Sequence, residues 1–224
     1  MKKANRWLHH FPAAIFPSLA VFFSAMVHLH AAAPLGPEVV VLEISFAKEG
    51  SRFEFPSFKP KEYERVVIGL HDSIAPATVE NFKKLARSRF YRGMRFHRAF
   101  PNSLVQTGDP RSRHGTMELS GTGGPGYTIP AEINLPVEKG SVAMARLPDH
   151  INPSRASSGS QFFFALEPMQ NLNGQYTVFG TVLEGMEVLE RISNTRTDSN
   201  DFPVEKIIIR RVRVEPREFA VQPG

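Results

Sequence analysis

Arg98 and Gln106, eight residues apart, with His97 beside the arginine, are side chains whose types could take part in chemistry. The histidine invites a reading as general base. The arginine offers a donor that stays charged at any physiological pH. Read singly, each has a plainer role: a solvated surface arginine, and a strand glutamine satisfying a buried backbone group. Beyond residue 33 the histidines are His71, His97, His114 and His150, scattered and without metal-ligand spacing. There is no cysteine, which removes disulfide frameworks, thiolate zinc sites, cysteine nucleophiles and lipid-modified cysteine anchors. Gly121-Thr122-Gly123-Gly124 is not followed by Lys-Ser/Thr and precedes no helix, so it is not a phosphate loop. In KIIIRRVRV (Lys206–Val214), Arg211 and Arg213 alternate with valines, as the solvent face of an edge strand does. That strand does not read as a nucleic-acid surface, and no nucleic-acid partner is expected.

The chain that must position these groups has 224 residues, 42% hydrophobic and 22% charged. This is the length of one domain with extensions and the composition of a globular protein. Its 27 basic and 22 acidic side chains give +5, but Lys2, Lys3 and Arg6 lie in an acid-free leader. Without them 24 basic and 22 acidic residues remain, a net +2 that makes no case for a polyanion partner. Residues 1–33 read as a secretory signal peptide: a basic start, an apolar run from Phe11 to Val27, and the Ala31–Ala33 triplet for cleavage. The run is short for a membrane span and is interrupted by Pro12 and Pro17. The expectation is a periplasmic or secreted protein, membrane-anchored only if the leader is uncleaved. With cleavage no stable membrane insertion is expected.

Residues 34–38 form a linker, 39–216 one folded domain and 217–224 a C-terminal tail. Val39–Phe46 and Arg65–Leu70 are apolar runs of strand length, joined by a charged, Pro- and Phe-containing connection over 47–64. Thr78–Arg87 has a helical apolar face in Val79, Phe82, Leu85 and Ala86, with Thr78 as its expected N-cap. Further strands are expected at Met94–Arg98, Leu104–Gly108, Ser141–Ala145, Gln161–Leu166, Thr177–Leu183 and Lys206–Val214, with a second helix over Met186–Ser193. Many short strands, Gly/Pro turns and two separate helices predict a mainly β fold, a closed antiparallel barrel capped by helices.

Three segments, in this order, resemble the cyclophilin family of peptidyl-prolyl cis-trans isomerases. They are FYRGMRFHRAFPNSLVQTGD (Phe90–Asp109), GTGGPGYTIPAE (Gly121–Glu132), and GSVAMA (Gly140–Ala145) with GSQFFFALEPMQNLNGQYTVFGTVLEG (Gly159–Gly185). The likeness runs from about Val39 to Val214. It implies an eight-stranded antiparallel barrel capped by two α-helices, proline-containing polypeptides as substrates, no metal or other cofactor, and a monomer.

The reaction implied breaks no bond. An X–Pro amide isomerises in roughly tens to hundreds of seconds because resonance stiffens its C–N bond. At the twisted transition state the prolyl nitrogen regains a lone pair, and a fixed charged donor there binds the twisted form better than either planar isomer. If turnover takes about a millisecond, the gain is about five decades, or about 7 kcal/mol. The resemblance makes Arg98 that donor and Gln106 the residue that helps place the substrate carbonyl and the arginine. His97 becomes structural, since no proton moves. It puts Leu104, Phe163 and Leu172 around the proline ring, with Phe162 and Phe164 in the core. Tyr176 stands where many relatives have histidine. Ala145 and Arg146 fall on the strand edge that hydrogen-bonds the peptide backbone, Gln161 lines the groove and Thr122 lies beside it.

Two residues depart from the pattern. Ser103 stands where a pocket phenylalanine is usual, and Asn171 replaces the tryptophan of cyclosporin-sensitive members. The loop LPDHINPSRASS (Leu147–Ser158) is also about half a dozen residues longer than usual, placing Asp149, His150 and Arg155 at the rim. We read it as a tolerated surface insertion; the alternative is a restricted groove. The alternative to an active isomerase is a chaperone or scaffold module of the same fold that grips Pro-containing segments, its isomerase activity weak or lost through Ser103.

Overall fold

The computed structural model of the chain describes residues 33–47, 63–113 and 119–220. The expected leader and nearly all of the 47–64 connection lie outside these residues, as does His114. The strands are β1 (Glu38–Ala47), β2 (Glu64–Leu70), β3 (Arg98–Phe100), β4 (Leu104–Thr107), β5 (Thr128–Ile129), β6 (Ser141–Met144), β7 (Ser157–Ser158), β8 (Phe162–Ala165), β9 (Val178–Glu184) and β10 (Lys206–Pro216). The helices are α1 (Pro76–Arg87), α2 (Met186–Ser193) and α3 (Arg217–Ala220).

Eight strands form one antiparallel sheet in the order β10-β1-β2-β9-β6-β8-β4-β3, and β5 and β7 make a separate pair. The expected closed barrel is a strongly curled sheet whose last seam is not a strand ladder. Its two edges meet through Gly93–Phe96: Gly93 N–H donates to Ile209 (2.8 Å), Ile209 N–H to Met94 (2.9 Å) and Phe96 N–H to Ile207 (3.1 Å). The strand expected over Met94–Arg98 is therefore a seam with one isolated bridge, Arg95 to Ile208, and the strand proper starts at Arg98. On the other side of β10 the register with β1 shifts between Glu43 and Ile44, which leaves Arg210 as the extra residue of a bulge.

Alternation along the strands sends one set of side chains inward. Val40, Leu42, Ile44, Val66, Ile68, Phe162, Phe164 and Phe179 pack there with Val79, Phe82 and Leu85 of α1 and Leu189 and Ile192 of α2. Phe82 meets Phe179 at 4.9 Å and Phe162 at 5.1 Å between ring centroids, the latter edge-on. Each such ring contributes about 1.5–3 kcal/mol by burial alone.

Helix α1 begins two residues before Thr78, with Pro76 in its first turn and no side-chain cap from the residue preceding it. Thr78 is thus not the N-cap. The carboxylate of Glu132 takes that role, accepting from Ala77 N–H (3.0 Å), Thr78 N–H (2.9 Å) and Thr78 Oγ1 (2.7 Å). A negative charge at a helix N-terminus meets both the free amides and the dipole. The expected C-terminal tail starts with α3, whose Ala220 is buried against Val39, Val41 and Val67 on the outer face of the sheet.

Candidate active site

One row of residues crosses four strands. Arg98 stands opposite Gln106 in the β3–β4 ladder, Gln106 opposite Phe163 in β4–β8, and Phe163 opposite Ala143 in β8–β6. Residues directly opposite share a face of the sheet. The neighbouring row, Ala99, Val105, Phe164 and Val142, is buried in the main core. The guanidinium, the amide and the Phe163 ring therefore lie side by side on the outer face.

That face carries its own apolar cluster. Phe163 is only 4% exposed and packs with Val137, Ala143, Ala165 and Val178, with Leu104, Leu172 and Tyr176 partly buried around them. The three residues expected to surround a proline ring, Leu104, Phe163 and Leu172, are thus brought together. Leu172 ends a short 3-10 turn, Gln170–Leu172. Tyr176 meets Phe163 edge to face at 5.5 Å.

Gln106 and Gln161 are locked in one orientation by what lies beyond them. Gln161 Nε2 donates to the carbonyls of Gly121 (2.9 Å) and Gly123 (2.7 Å). Carbonyls only accept, so this end of Gln161 must be its NH2 group. Its Oε1 then receives Gln106 Nε2 at 2.9 Å, which leaves Gln106 Oε1 with no protein partner among the described residues. The two glycine carbonyls are held by Asp109, whose carboxylate accepts from Gly121 N–H, Gly123 N–H (3.2 Å) and Arg111 N–H (2.7 Å). A side chain at position 123 would have its Cβ 2.2 Å from Asp109 Oδ1, so this approach requires glycine. Thr122 sits between the two glycines, exposed, accepting from Arg111 (2.6 Å) and donating to Leu119 O (2.8 Å).

Arg98 is exposed, and its side chain makes no hydrogen bond among the described residues. Its guanidinium carbon lies 4.6 Å from the centre of the Phe100 ring. Ser103 sits at the β3–β4 turn, with its N–H on Phe100 O (3.1 Å) and its carbonyl taken by Leu166 N–H (2.7 Å). Ala145 has both backbone groups occupied, its N–H by Gln161 O (2.9 Å) and its O by Ser158 N–H (2.8 Å). Of the two residues expected to bond a peptide backbone, only Arg146 has its main-chain groups free among the described residues.

The Arg146 side chain is 4% exposed and fully engaged. It donates to Gln175 O (2.7 Å) and Leu147 O (2.9 Å), pairs with Asp149 at 2.5 Å, and lies 4.9 Å over the Tyr176 ring. Asp149 also pairs with Arg155 (2.9 Å), which reaches Gly174 O (2.7 Å). The long loop is thus fastened to the rim, and both arginines hold the Asp149 carboxyl below its usual range.

His97 is 5% exposed, and neither ring nitrogen makes a hydrogen bond of good geometry. Burial lowers its pKa below 6.5, against the nearby Asp109 carboxylate, which raises it. It is neutral at physiological pH and lies beneath the loop that Gly121 begins, 3.8 Å from where a Cβ on that glycine would stand.

Sequence reasoning passed over Phe100, Asp109 and the Asp149 clamp. The spacing of two between Arg98 and Phe100 placed them on one face of a strand and was a usable signal. Contacts between loops, such as Asp109 to Gly121, leave no periodic trace.

Comparison with known proteins matches the family model described as "Cyclophilin type peptidyl-prolyl cis-trans isomerase/CLD" over residues 57–214. Peptidyl-prolyl cis-trans isomerase B of Bacillus subtilis is 41% identical over 140 residues, which cover 61% of this chain and 89% of that protein. A peptidyl-prolyl cis-trans isomerase of Synechococcus elongatus is 43% identical over 138 residues, 59% of this chain and 86% of its own length. A crystal structure of a Cryptosporidium parvum cyclophilin-type isomerase superposes with a TM-score of 0.64 at 24% identity, covering 83% of this chain and 99% of that one. The chain belongs to the cyclophilin-type peptidyl-prolyl cis-trans isomerases.

Proposed function

We propose that this isomerase acts on X–Pro bonds of polypeptides outside the cytoplasm, with Arg98 as donor to the prolyl nitrogen. The observation that carries the catalytic part is the row Arg98–Gln106–Phe163, which sets a cation, an amide and an apolar floor side by side. A proline ring seated on Phe163 between Leu104 and Leu172 fixes the amide against the sheet. Gln106 Oε1, left open by the lock on Gln161, accepts from the substrate backbone or from the guanidinium. The free main chain of Arg146 gives the peptide an antiparallel partner. As the amide twists, the nitrogen lone pair forms and Arg98 donates to it, an interaction that neither planar isomer makes. No proton is transferred, so the buried neutral His97 has no part in the step. A protease-coupled isomerisation assay on proline tetrapeptides tests this reading, and a rate no greater than the spontaneous one would overturn it.

The extracytoplasmic part rests on the basic start, apolar run and alanine triplet of residues 1–33. Among the described residues no helix is long and apolar enough to cross a membrane. N-terminal sequencing of protein isolated from cells is expected to begin between Ala32 and Leu35. An intact Met1 in the membrane fraction would favour an anchor instead.

A further inference from the structure

A cleft of about 790 Å³ lies between the end of α1 with its following loop and the bulged stretch of β10. Six arginines and a single acid line it, and it shares no residue with the Arg98 face. Three of the arginines are neutralised. Arg87 pairs with Glu38 (2.8 Å), and Arg211 and Arg213 share Glu43 (3.5 and 2.8 Å), Arg213 also meeting Glu215. The other three, Arg89, Arg92 and Arg210, pair with no acid among the described residues. Arg210, the extra residue of the bulge, spends only its Nε, on Ser45 Oγ at 2.6 Å. The side chains of Arg89 and Arg92 have no hydrogen bond or ion pair among the described residues.

The fold holds these unpaired charges close together. Gly93 and Ile209 are hydrogen-bonded across the seam of the sheet, and Arg92 precedes the one as Arg210 follows the other. The two arginines thus occupy facing positions of the seam, and among the described residues no acid pairs with either. The loop oxygens do not compensate: Arg113 takes the carbonyl of Phe90 and that of Arg92 (3.0 Å). Arg89 has φ of 61° just after the helix, a conformation that glycine or asparagine adopts with less strain. Like charges facing each other in a concave site repel unless an anion joins them. Guanidinium groups match phosphate oxygens two at a time, and the volume suits a small-molecule ligand, within about 300–1,000 Å³.

We propose that this cleft binds an oligophosphate group through Arg89, Arg92 and Arg210. Calorimetry with inorganic tripolyphosphate at low salt is expected to show one site of micromolar affinity, weakened as salt rises from about 50 to about 200 mM. The triple variant Arg89→Ser/Arg92→Ser/Arg210→Ser should bind at least about tenfold more weakly, with its melting temperature and peptide isomerisation unchanged. Arg92→Lys keeps the charge and loses the planar fork, so it should also bind several-fold more weakly. Arg211→Ser, whose charge is already paired, should bind nearly as the natural protein does. No heat of binding up to millimolar tripolyphosphate overturns the proposal. So does undiminished binding by the triple variant. Full affinity in Arg92→Lys would reduce the site to diffuse charge attraction and overturn it as well.

Discussion

The guanidinium of Arg98 lies over the ring of Phe100, 4.6 Å from its centroid, both side chains leaving β3 on the same face. The resemblance puts a pocket phenylalanine where this chain has Ser103; Phe100 supplies a ring two residues from the arginine and opposite Leu104 in the ladder. The ring restricts an arginine that otherwise has no partner among the described residues. An exposed cation–π contact is worth about 0.5–1 kcal/mol. Phe100→Leu is therefore expected to lower kcat about two- to fivefold, with KM little changed and Phe100→Tyr close to normal. A kcat unchanged in Phe100→Leu would show that the ring does not position the donor.

Arg98→Ala should lower turnover at least about tenfold, equivalent to about 1.4 kcal/mol or more of transition-state stabilisation. The side chain is exposed and makes no hydrogen bond among the described residues, so the melting temperature should hold. The protease-coupled assay and a thermal melt on the same sample separate the two effects. Full activity in a folded variant would remove Arg98 from the mechanism.

What the sequence made legible follows from period. Phe162, Phe163 and Phe164 sort to core, pocket and core because side chains alternate on a strand, and the row through Phe163 falls on the outer face accordingly. Met94 and Phe96 alternate just as well, and both are buried. They do not form a strand because their partner is the far edge of β10, met only where the sheet curls back on itself. Thr78 has the right chemistry for an N-cap and the wrong position, since Glu132 supplies the cap from 54 residues away. The fastening of Leu147–Ser158 is also non-local: the loop reads as a surface insertion, yet Arg146 and Arg155, joined by Asp149, tie it to the carbonyls of Gln175 and Gly174.

That fastening should matter to the groove. Arg146 presses on Tyr176, and Tyr176 on Phe163, so the clamp reaches the pocket floor through two rings. Asp149→Asn is expected to raise KM about two- to fivefold with kcat retained, because a loosened wall weakens substrate and transition state alike. Asp149→Glu should recover most of the loss. A KM equal to that of the natural protein would return the loop to the status of a surface insertion.

His97 sets a pH dependence of stability, not of catalysis. Its folded pKa lies below 6.5 because of burial, so the folded protein binds fewer protons there than the unfolded chain does. Stability from this group is complete above about pH 6.5 and is lost as pH falls through the lower folded value. His97→Asn should therefore lose less melting temperature than the natural protein between about pH 7.5 and 5. Over about pH 6.5 to 8.5, kcat/KM should stay flat, since a guanidinium does not titrate there. Parallel melting curves in the two proteins would mean that His97 is not the titrating group.

Cyclosporin covers the proline pocket of this family and an aromatic rim beside it. Asn171, which the resemblance puts at that rim, is exposed in the turn that ends at Leu172, its carbonyl accepting from Gln175 Nε2 at 2.6 Å. On that assignment the indole and its N–H are replaced by an amide, and Ser103 stands in place of a pocket phenylalanine. A lost aromatic contact costs about 1.5–3 kcal/mol by burial, or about 10- to 150-fold in affinity. The natural protein should thus bind cyclosporin weakly by calorimetry. Asn171→Trp should strengthen the inhibitor with little effect on peptide turnover, and Ser103→Phe should raise turnover. The clamped loop limits both gains if it overhangs the groove, so the same pair of variants is made in an Asp149→Asn background, where the loop is free to move. Tight cyclosporin binding by the unmodified protein would mean that Ser103 and Asn171 do not stand where the aromatic wall and rim belong.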